Sequence, residues 1–202
     1  MVIMAAALIA GCVAGLAAGG SLTRLAGARV RAWPVLVAAV VIEACLGATS
    51  DPLRTVLAVT ACLGVVGWCA ANRGPERRFP YGHGLISTGV VLNAVVMAVN
   101  GGMPVSRFAL AAAGFPKTMN VAEGHFYKHT AMTDLTRLRL LGDIIPFHMA
   151  RTVLSPGDLL MLMGIAVVSR AATGPVPHGR RVRLAKLASR TWEEEVGSHS
   201  LR

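Results

Sequence analysis

The sequence has little charge, and long stretches of it have none. Only 15% of the 202 residues are charged, whereas 54% are hydrophobic. Residues 1–23, 55–72 and 84–106 contain no Asp, Glu, Lys or Arg. A soluble amphipathic domain interleaves charged and apolar residues with helical spacing, so these runs exclude that class. Because a run of about 18 apolar residues crosses a bilayer core of about 30 Å, the sequence predicts an integral membrane protein.

Two further apolar segments carry charges that need an explanation. Residues 33–50 contain Glu43, and residues 156–173 contain Asp158 and Arg170. The second segment is explained by its start, because Ser155-Pro-Gly-Asp158 has the N-cap, the proline and the acid that are typical of a first helical turn. We therefore predict an all-α, polytopic membrane bundle with about five transmembrane helices, at residues 2–20, 33–49, 53–71, 84–100 and 156–173.

The basic residues predict how the protein is oriented. They cluster at residues 24–31, 73–78 and 180–202, which the alternation of five helices places on one side. Because basic connections face the cytoplasm, we expect a multi-pass protein of a bacterial plasma membrane with its N-terminus outside. The transmembrane bundle then comprises residues 1–173, and residues 174–202 form a basic cytoplasmic tail. The segment 101–155 lies outside, and its own basic residues are diluted along a long loop.

Neither a nucleic-acid-binding fold nor a disulfide framework accompanies this composition. The net charge is +10, but no aromatic residues are interleaved with the basic ones, so the tail favours anionic lipid headgroups over nucleic acid. The four cysteines all lie inside predicted helices, where they fit packing better than cross-linking. Ile9-Ala-Gly-Cys12 resembles a lipoprotein cleavage site, although no basic segment precedes it, and its use stays open.

The motifs of the common enzyme classes are also missing. The sequence has no Gly-x-Ser-x-Gly, no Walker loop, no dinucleotide-binding glycine motif and no His-Glu-x-x-His, and we expect no cofactor. His125 and His129 stand four residues apart, which would place them on one face of a helix, and a metal site could include His148. Solvated histidines are the favoured interpretation. An enzyme is therefore the less favoured class.

Two polar residues fall near the centre of predicted helices. Glu43 lies about nine residues into the second helix and Asn93 about nine residues into the fourth, and both helices run in the same direction. A charged side chain at that depth is costly unless it is neutralised, paired or hydrated. We predict that Glu43 and Asn93 pair within the membrane. The pair could be a structural contact or part of a site for a substrate or proton, and the sequence leaves both open.

The uncharged run 84–106 ends in Asn100-Gly101-Gly102-Met103-Pro104 instead of in Lys, Arg or Trp. Glycine can end a helix with a positive φ, and Pro104 prevents the helix from resuming for at least a turn. The backbone polar groups exposed in this way must be packed in protein or line a hydrated cavity. We therefore predict that residues 101–155 are partly re-entrant or interfacial.

The same segment contains the acid that we favour most for a function. Asp143 follows Gly142 at the end of an expected interfacial helix, where the helix dipole disfavours an anion, whereas Asp158 is explained as a helix-start acid. That helix is predicted from apolar residues spaced three to four apart, with aromatic residues nearby as anchors. The apolar residues are Leu135, Leu138, Leu141, Ile144 and Ile145, and the aromatic ones are Phe126, Tyr127 and Phe147.

Several of these motifs carry a resemblance. Leu92-Asn93, Asn100-Gly-Gly-Met-Pro-Val105, Leu141-Gly-Asp-Ile-Ile-Pro146 and Ser155-Pro-Gly-Asp158 are similar to those of a group of small polytopic proteins of actinobacteria and firmicutes known as a domain of unknown function. The resemblance covers residues 84–170. It implies a plasma-membrane protein of several helices and adds weight to Asn100, Asp143 and Asp158, but it implies no activity.

Three functions fit these observations. The first is a non-enzymatic ligand-binding or accessory subunit of a transport or cell-envelope complex, which would contact membrane lipids and either a membrane-protein partner or a second copy of the chain. Its cavity would be formed by the turn at residues 100–105 and the region of Asp143. The second is a small transporter or channel that uses Glu43. The third is a membrane-embedded enzyme that acts on a lipid-linked substrate through Asp143, His148, His125 and His129.

Overall fold

A computed structural model describes residues 2–27, 30–46, 51–72, 80–116 and 129–175. The chain is mostly helical, and four short strands lie between its last two long helices. The helices are α1 (Val2–Ala17), α2 (Leu22–Ala26), α3 (Trp33–Cys45), α4 (Asp51–Ala71), α5 (Pro80–Asn100), α6 (Arg107–Ala112) and α7 (Pro156–Thr173). The strands are β1 (Met103–Val105), β2 (His129–Ala131), β3 (Ile145–Phe147) and β4 (Thr152–Leu154).

The prediction of a helical membrane-type architecture is confirmed, and a helix lies at each of the five predicted transmembrane positions. In the described ranges, three helices are long and apolar enough to cross a membrane, at Leu53–Ala71, Tyr81–Asn100 and Pro156–Thr173. The helices α1 and α3 are apolar too, but they have only 16 and 13 residues. Their crossing of the bilayer, and the orientation of the whole chain, stay predictions.

The five long helices form an open row. Each packs mainly against its neighbours in the order α1, α7, α5, α4 and α3. The helices α1 and α7 run parallel, because Gly11 meets Ala166 and Gly15 meets Thr173 further along both helices. The helices α5 and α7 run antiparallel. An open row leaves much apolar surface uncovered, and only 17% of the apolar window of α4 is buried within the chain.

Glycines set the close approach of α5 and α7. Gly89 faces Gly157, and Gly82 faces Gly164, so the two contacts are seven residues apart along each helix. A Cβ atom on Gly164 would lie 2.7 Å from the carbonyl oxygen of Gly82, well inside contact distance. Only residues without a side chain allow the two backbones to approach so closely, as is common between helices in membranes.

Two apolar clusters also hold the row together. The first joins α3, α4 and α5 through Leu46, Ala58 and Val96, which are almost completely buried. The second joins α4, α5 and α7 around Cys69 and Val90. All four cysteines are free thiols, as their positions in apolar helices predict.

The segment between α5 and α7, of which residues 101–116 and 129–155 are described, forms a cap on one end of the row. The strands β1 and β2 pair in parallel, and β3 and β4 pair antiparallel. Asp143 joins the two pairs, because it forms an isolated bridge with Val105 of β1. Within the cap, Val105 and Leu110 pack in a small core with Phe115, Ala131 and Val153.

The predicted interfacial helix at residues 135–145 is wrong. The structure has only a 3-10 turn at Arg139–Leu141, preceded by Leu138 in the left-handed region with a φ of 53°. Beyond the turn, the backbone of Asp143 and Ile144 is hydrogen-bonded to other strands, with Asp143 N–H donating to the Pro104 carbonyl and Ile144 N–H to the Leu154 carbonyl. These contacts between distant segments outweigh the local spacing of leucines, which by itself carries little helical stability.

Candidate functional site

The turn at the end of α5 is exposed at Gly101 and becomes buried from Gly102 onward. Asn100 is the last helical residue, and Gly101 follows with a φ of 71°, which is the positive value that glycine accepts without strain. Met103 and Val105 are 4% and 1% exposed, and Pro104 lies between them in β1, fully buried. From Gly102 to Val105 the irregular backbone is therefore packed against protein, which is the condition that backbone inside a membrane would have to meet.

Asn100 also connects this turn to the rest of the cap. Its side-chain amide donates to the carbonyl oxygen of Arg137 at 3.0 Å, and its side-chain oxygen accepts from the Arg137 N–H at 2.9 Å. The Thr55 hydroxyl of α4 donates to the Gly101 carbonyl at 2.8 Å. The end of α5 is thus fixed both to the loop that follows Asp134 and to the start of α4.

Asp143 is almost completely buried, at 3% exposure, and is contacted on three sides. One side-chain oxygen lies 3.0 Å from Nε2 of His129. Its N–H donates to the Pro104 carbonyl at 2.8 Å, and its carbonyl accepts from the Ser106 N–H at 3.0 Å. Since Pro104 and Val105 direct their carbonyls to opposite edges of β1, Asp143 lies along one edge of this strand and β2 along the other.

The start of α7 carries a second polar cluster. Ser155 and Asp158 form a capping box, in which the Ser155 hydroxyl accepts from the Asp158 N–H and the Asp158 carboxylate accepts from the Ser155 N–H. Asn93 of α5 completes the cluster. Its amide donates to Asp158 at 2.8 Å, and its side-chain oxygen accepts from the fully buried Ser155 hydroxyl at 2.9 Å. Each of these polar groups therefore satisfies another.

This cluster lies deep in the row of helices. Asn93 precedes the last residue of α5, Asn100, by seven positions, which at a rise of 1.5 Å corresponds to about 10 Å along the helix. Because α7 begins beside Asn93, its start lies about 10 Å below the end of α5. Non-helical backbone at such a depth in a membrane is tolerated only where protein or water surrounds it, and the re-entrant or interfacial placement of residues 101–155 stays a prediction.

A double-mutant cycle on Asn93 and Asp158 measures the strength of this cluster. We expect Asn93→Ala and Asp158→Ala each to lower the free energy of unfolding, and the double variant to lower it by less than the sum. The coupling should be about 0.5–3 kcal/mol, since each single change leaves the other group without its partner. Chemical unfolding in detergent micelles provides the measurement, with Thr88→Ala, an exposed polar residue of the same helix, as a control. Additive effects would show that the contact contributes nothing.

The other sequence-predicted residues are distributed differently. The predicted partner of Asn93, Glu43, lies half-buried on α3, which packs mainly against α4, whereas the hydrogen bonds of Asn93 go to Ser155 and Asp158. His148 is exposed in a short turn between β3 and β4 and lies close to Gly114. The pairing of His125 with His129 on a helix is not supported, because His129 begins a strand, and His125 lies outside the described residues.

The sequence analysis missed two residues of these clusters. His129 was considered as a metal ligand and not as the partner of Asp143. Ser155 was expected only to cap α7, yet its hydroxyl also donates to Asn93. Within the described ranges, no group of three His, Cys, Asp or Glu side chains is close enough to hold a metal ion. The hydrogen bonds of these two clusters join separate backbone segments and hold them in place.

The chain is similar to a bacterial protein and to a family, neither of which has a described function. A protein of Thermotoga maritima, described only as an uncharacterized protein, is 36% identical over 113 residues, which are 51% of this chain and 62% of that protein. The chain thus covers less than two thirds of the length of this relative. No solved structure matches the present chain. The profile of DUF5317, a family of unknown function, matches residues 28–169, and the chain belongs to this family.

Proposed function

We propose that this protein is a non-enzymatic subunit of a bacterial plasma membrane, which binds a ligand or supports a larger transport or cell-envelope complex. In this proposal the cap faces the outside of the cell and the basic tail faces the cytoplasm. The helices would anchor the subunit, and the cap would present its binding surface. Two independent features of the molecule support this function over catalysis or transport.

The use of Asp143 in the cap and of Asp158 at the start of α7 is the observation that carries the proposal. Asp143 is enclosed by backbone groups and His129, and Asp158 closes a capping box and accepts from Asn93. A catalytic acid or base must reach the proton that it transfers. Both carboxylates are instead directed at the chain's own segments, which favours a rigid scaffold over a reactive centre.

The open row of helices supports the presence of a larger partner. A chain that acts alone as a transporter has to enclose a path within its own helices, and here the helices lie mainly side by side. Large apolar side chains point outward from α3 and α4 along the edge of the row. They include Val37, Val40, Val41, Val56 and Leu63, each about half exposed. A larger membrane protein can cover this edge and gain packing contacts that lipid tails provide less well.

The proposal is tested by purifying the full chain from its native membrane in lipid nanodiscs. We expect a fixed, stoichiometric second membrane protein to accompany it, and a bulky charged substitution on the edge of the row, Leu63→Arg, to release that protein. Leu135→Arg in the cap is the control, because it changes another exposed leucine that lies away from this edge. Particles that hold only copies of this chain would contradict an accessory role.

A further inference from the structure

The end of α5 lacks the residues that normally fix a helix at the membrane surface. The run 84–106 contains neither a charged residue nor Trp or Tyr. Basic and aromatic side chains usually occupy this position, where they contact headgroups and define the depth of the helix. Something other than α5 itself must supply such contacts.

A loop of the cap is held at this same level. Residues 135–140 are fixed through the two hydrogen bonds between the Asn100 side chain and the backbone of Arg137. An amide that both donates to and accepts from one residue fixes the position of the loop, because two bonds in opposite directions leave little rotation. The loop therefore moves with the last turn of α5 and shares its depth.

The side chains of this loop alternate between apolar and basic ones. Leu135 is 92% exposed, Leu140 is 79% exposed and Leu138 is 47% exposed. Between them stand Arg137 and Arg139, which are exposed as well. Asp134 lies 3.6 Å from Arg139, but both side chains are open to solvent, so this ion pair constrains the arginine weakly. Such a pattern does not fit bulk water, where exposed leucines gain nothing.

We propose that residues 135–140 dock on the bilayer interface and bind the phosphate groups of anionic lipids. The leucines would enter the boundary between headgroups and acyl chains, and the two guanidinium groups would each bind a lipid phosphate with paired N–H donors. The loop thereby supplies the anchor that α5 lacks. This inference requires that α5 crosses the membrane, but it does not depend on an accessory role or on a protein partner.

The first test measures lipid selectivity in nanodiscs made of phosphatidylcholine and phosphatidylglycerol. We expect the full-length protein to retain phosphatidylglycerol preferentially in native mass spectrometry. The variant R137Q/R139Q should lose this preference by roughly 25-fold, since each surface arginine contributes about five-fold. Arg107→Gln, which removes an exposed arginine of α6, is the matched control and should leave it unchanged. Equal retention by R137Q/R139Q, or displacement of the lipid by inorganic phosphate, would overturn the proposal.

The second test measures depth and remains informative if the first variant folds poorly. A fluorophore is attached to Leu140→Cys in a chain whose four native cysteines are replaced. Nitroxide lipids labelled near the headgroup should quench it, aqueous iodide should not, and Asn100→Ala should reverse both results. Quenching by iodide alone would overturn the proposal. So would a disulfide between two Leu140→Cys chains without lipid quenching, because it would assign the loop to a protein interface.

Discussion

Replacing Gly89 by alanine is expected to separate α7 from α5, whereas the same change at Gly84 on the same helix is expected to be harmless. A Cβ atom on Gly89 would overlap the carbonyl oxygen of Gly157 and stand 3.0 Å from the Met161 nitrogen. A Cβ atom on Gly84 would meet nothing within 4 Å. Since the atoms opposite Gly89 are backbone atoms in a helix, they can yield only if the whole helix moves.

The size of this effect follows from the cost of overpacking. Extra atoms in a packed interior usually cost 1–3 kcal/mol, and a contact with rigid backbone belongs at the upper end, at about 3 kcal/mol. For a chain of this length we expect the unfolding temperature to fall by roughly 6–12 °C. The displacement of α7 also pulls Ser155 and Asp158 away from Asn93, so the polar cluster is lost together with the helix contact.

The measurement is thermal unfolding of the purified protein in detergent, followed by the accessibility of Cys69 to a thiol reagent. Cys69 is buried where α4, α5 and α7 meet, so its labelling reports directly on this packing. Faster labelling and a lower unfolding temperature in Gly89→Ala, with Gly84→Ala close to the wild type, is the expected pattern. Equal behaviour of the two variants would mean that α5 and α7 approach each other less closely than the structure has them.

The helices could be predicted from the sequence because their signals are local. An uncharged run long enough to cross a bilayer leaves few alternatives to a helix, since each backbone polar group must be satisfied within its own segment. The start of α7 was predicted in detail, including the proline and the acid, because a capping box needs only four consecutive residues. The end of α5 at Gly101 could be predicted equally well, since one glycine determines it.

The cap could not be predicted, because its strands are held by contacts between distant residues. Each strand has three residues, too few for an alternating pattern to be recognised. The leucines near residue 138 have helical spacing, yet their backbone forms turns, and Leu135, Leu138 and Leu140 point outward. His129 and Asp143 lie 14 positions apart and meet only because both flank β1. A single sequence contains no signal for such a meeting.

The contacts between the helices were missed although a signal for them exists. Gly11 and Gly15 form the Gly-x-x-x-Gly spacing that brings membrane helices together, and they meet α7 as this spacing predicts. The other glycine pairs are spaced by seven residues, 82 with 89 and 157 with 164, which places each pair on one face of a helix. These spacings did not enter the prediction, so the helices were predicted but their order in the row was not.

Replacing Asp143 by alanine is expected to open the cap without unfolding the helices. The carboxylate is 5% exposed and meets His129 from the opposite side of β1, so its removal leaves a buried polar group facing a void. Leaving a buried polar group without its hydrogen-bond partner costs about 1–3 kcal/mol, and the near-complete burial of Asp143 favours the upper end. The loss falls on β1 and β2 and on the backbone bonds of Pro104 and Ser106, and it leaves the contacts between α5 and α7 in place.

Hydrogen exchange resolves this local effect. The amides of Ser106 and Asp143 donate to the carbonyls of Asp143 and Pro104, respectively. In Asp143→Ala both amides should exchange roughly 100-fold faster, as a loss of about 3 kcal/mol requires. Amides in the middle of α5 should keep their rates, and His129→Gln, which retains an N–H donor of similar reach, should cause a smaller change. Asp134→Ala is the matched control, because that acid is fully exposed and pairs only with an exposed arginine. If Ser106 exchanged at the wild-type rate in Asp143→Ala, the contact between Asp143 and His129 would not be what holds β1 in place. The packing of Val105 and Leu110 would then have to account for the stability of the cap.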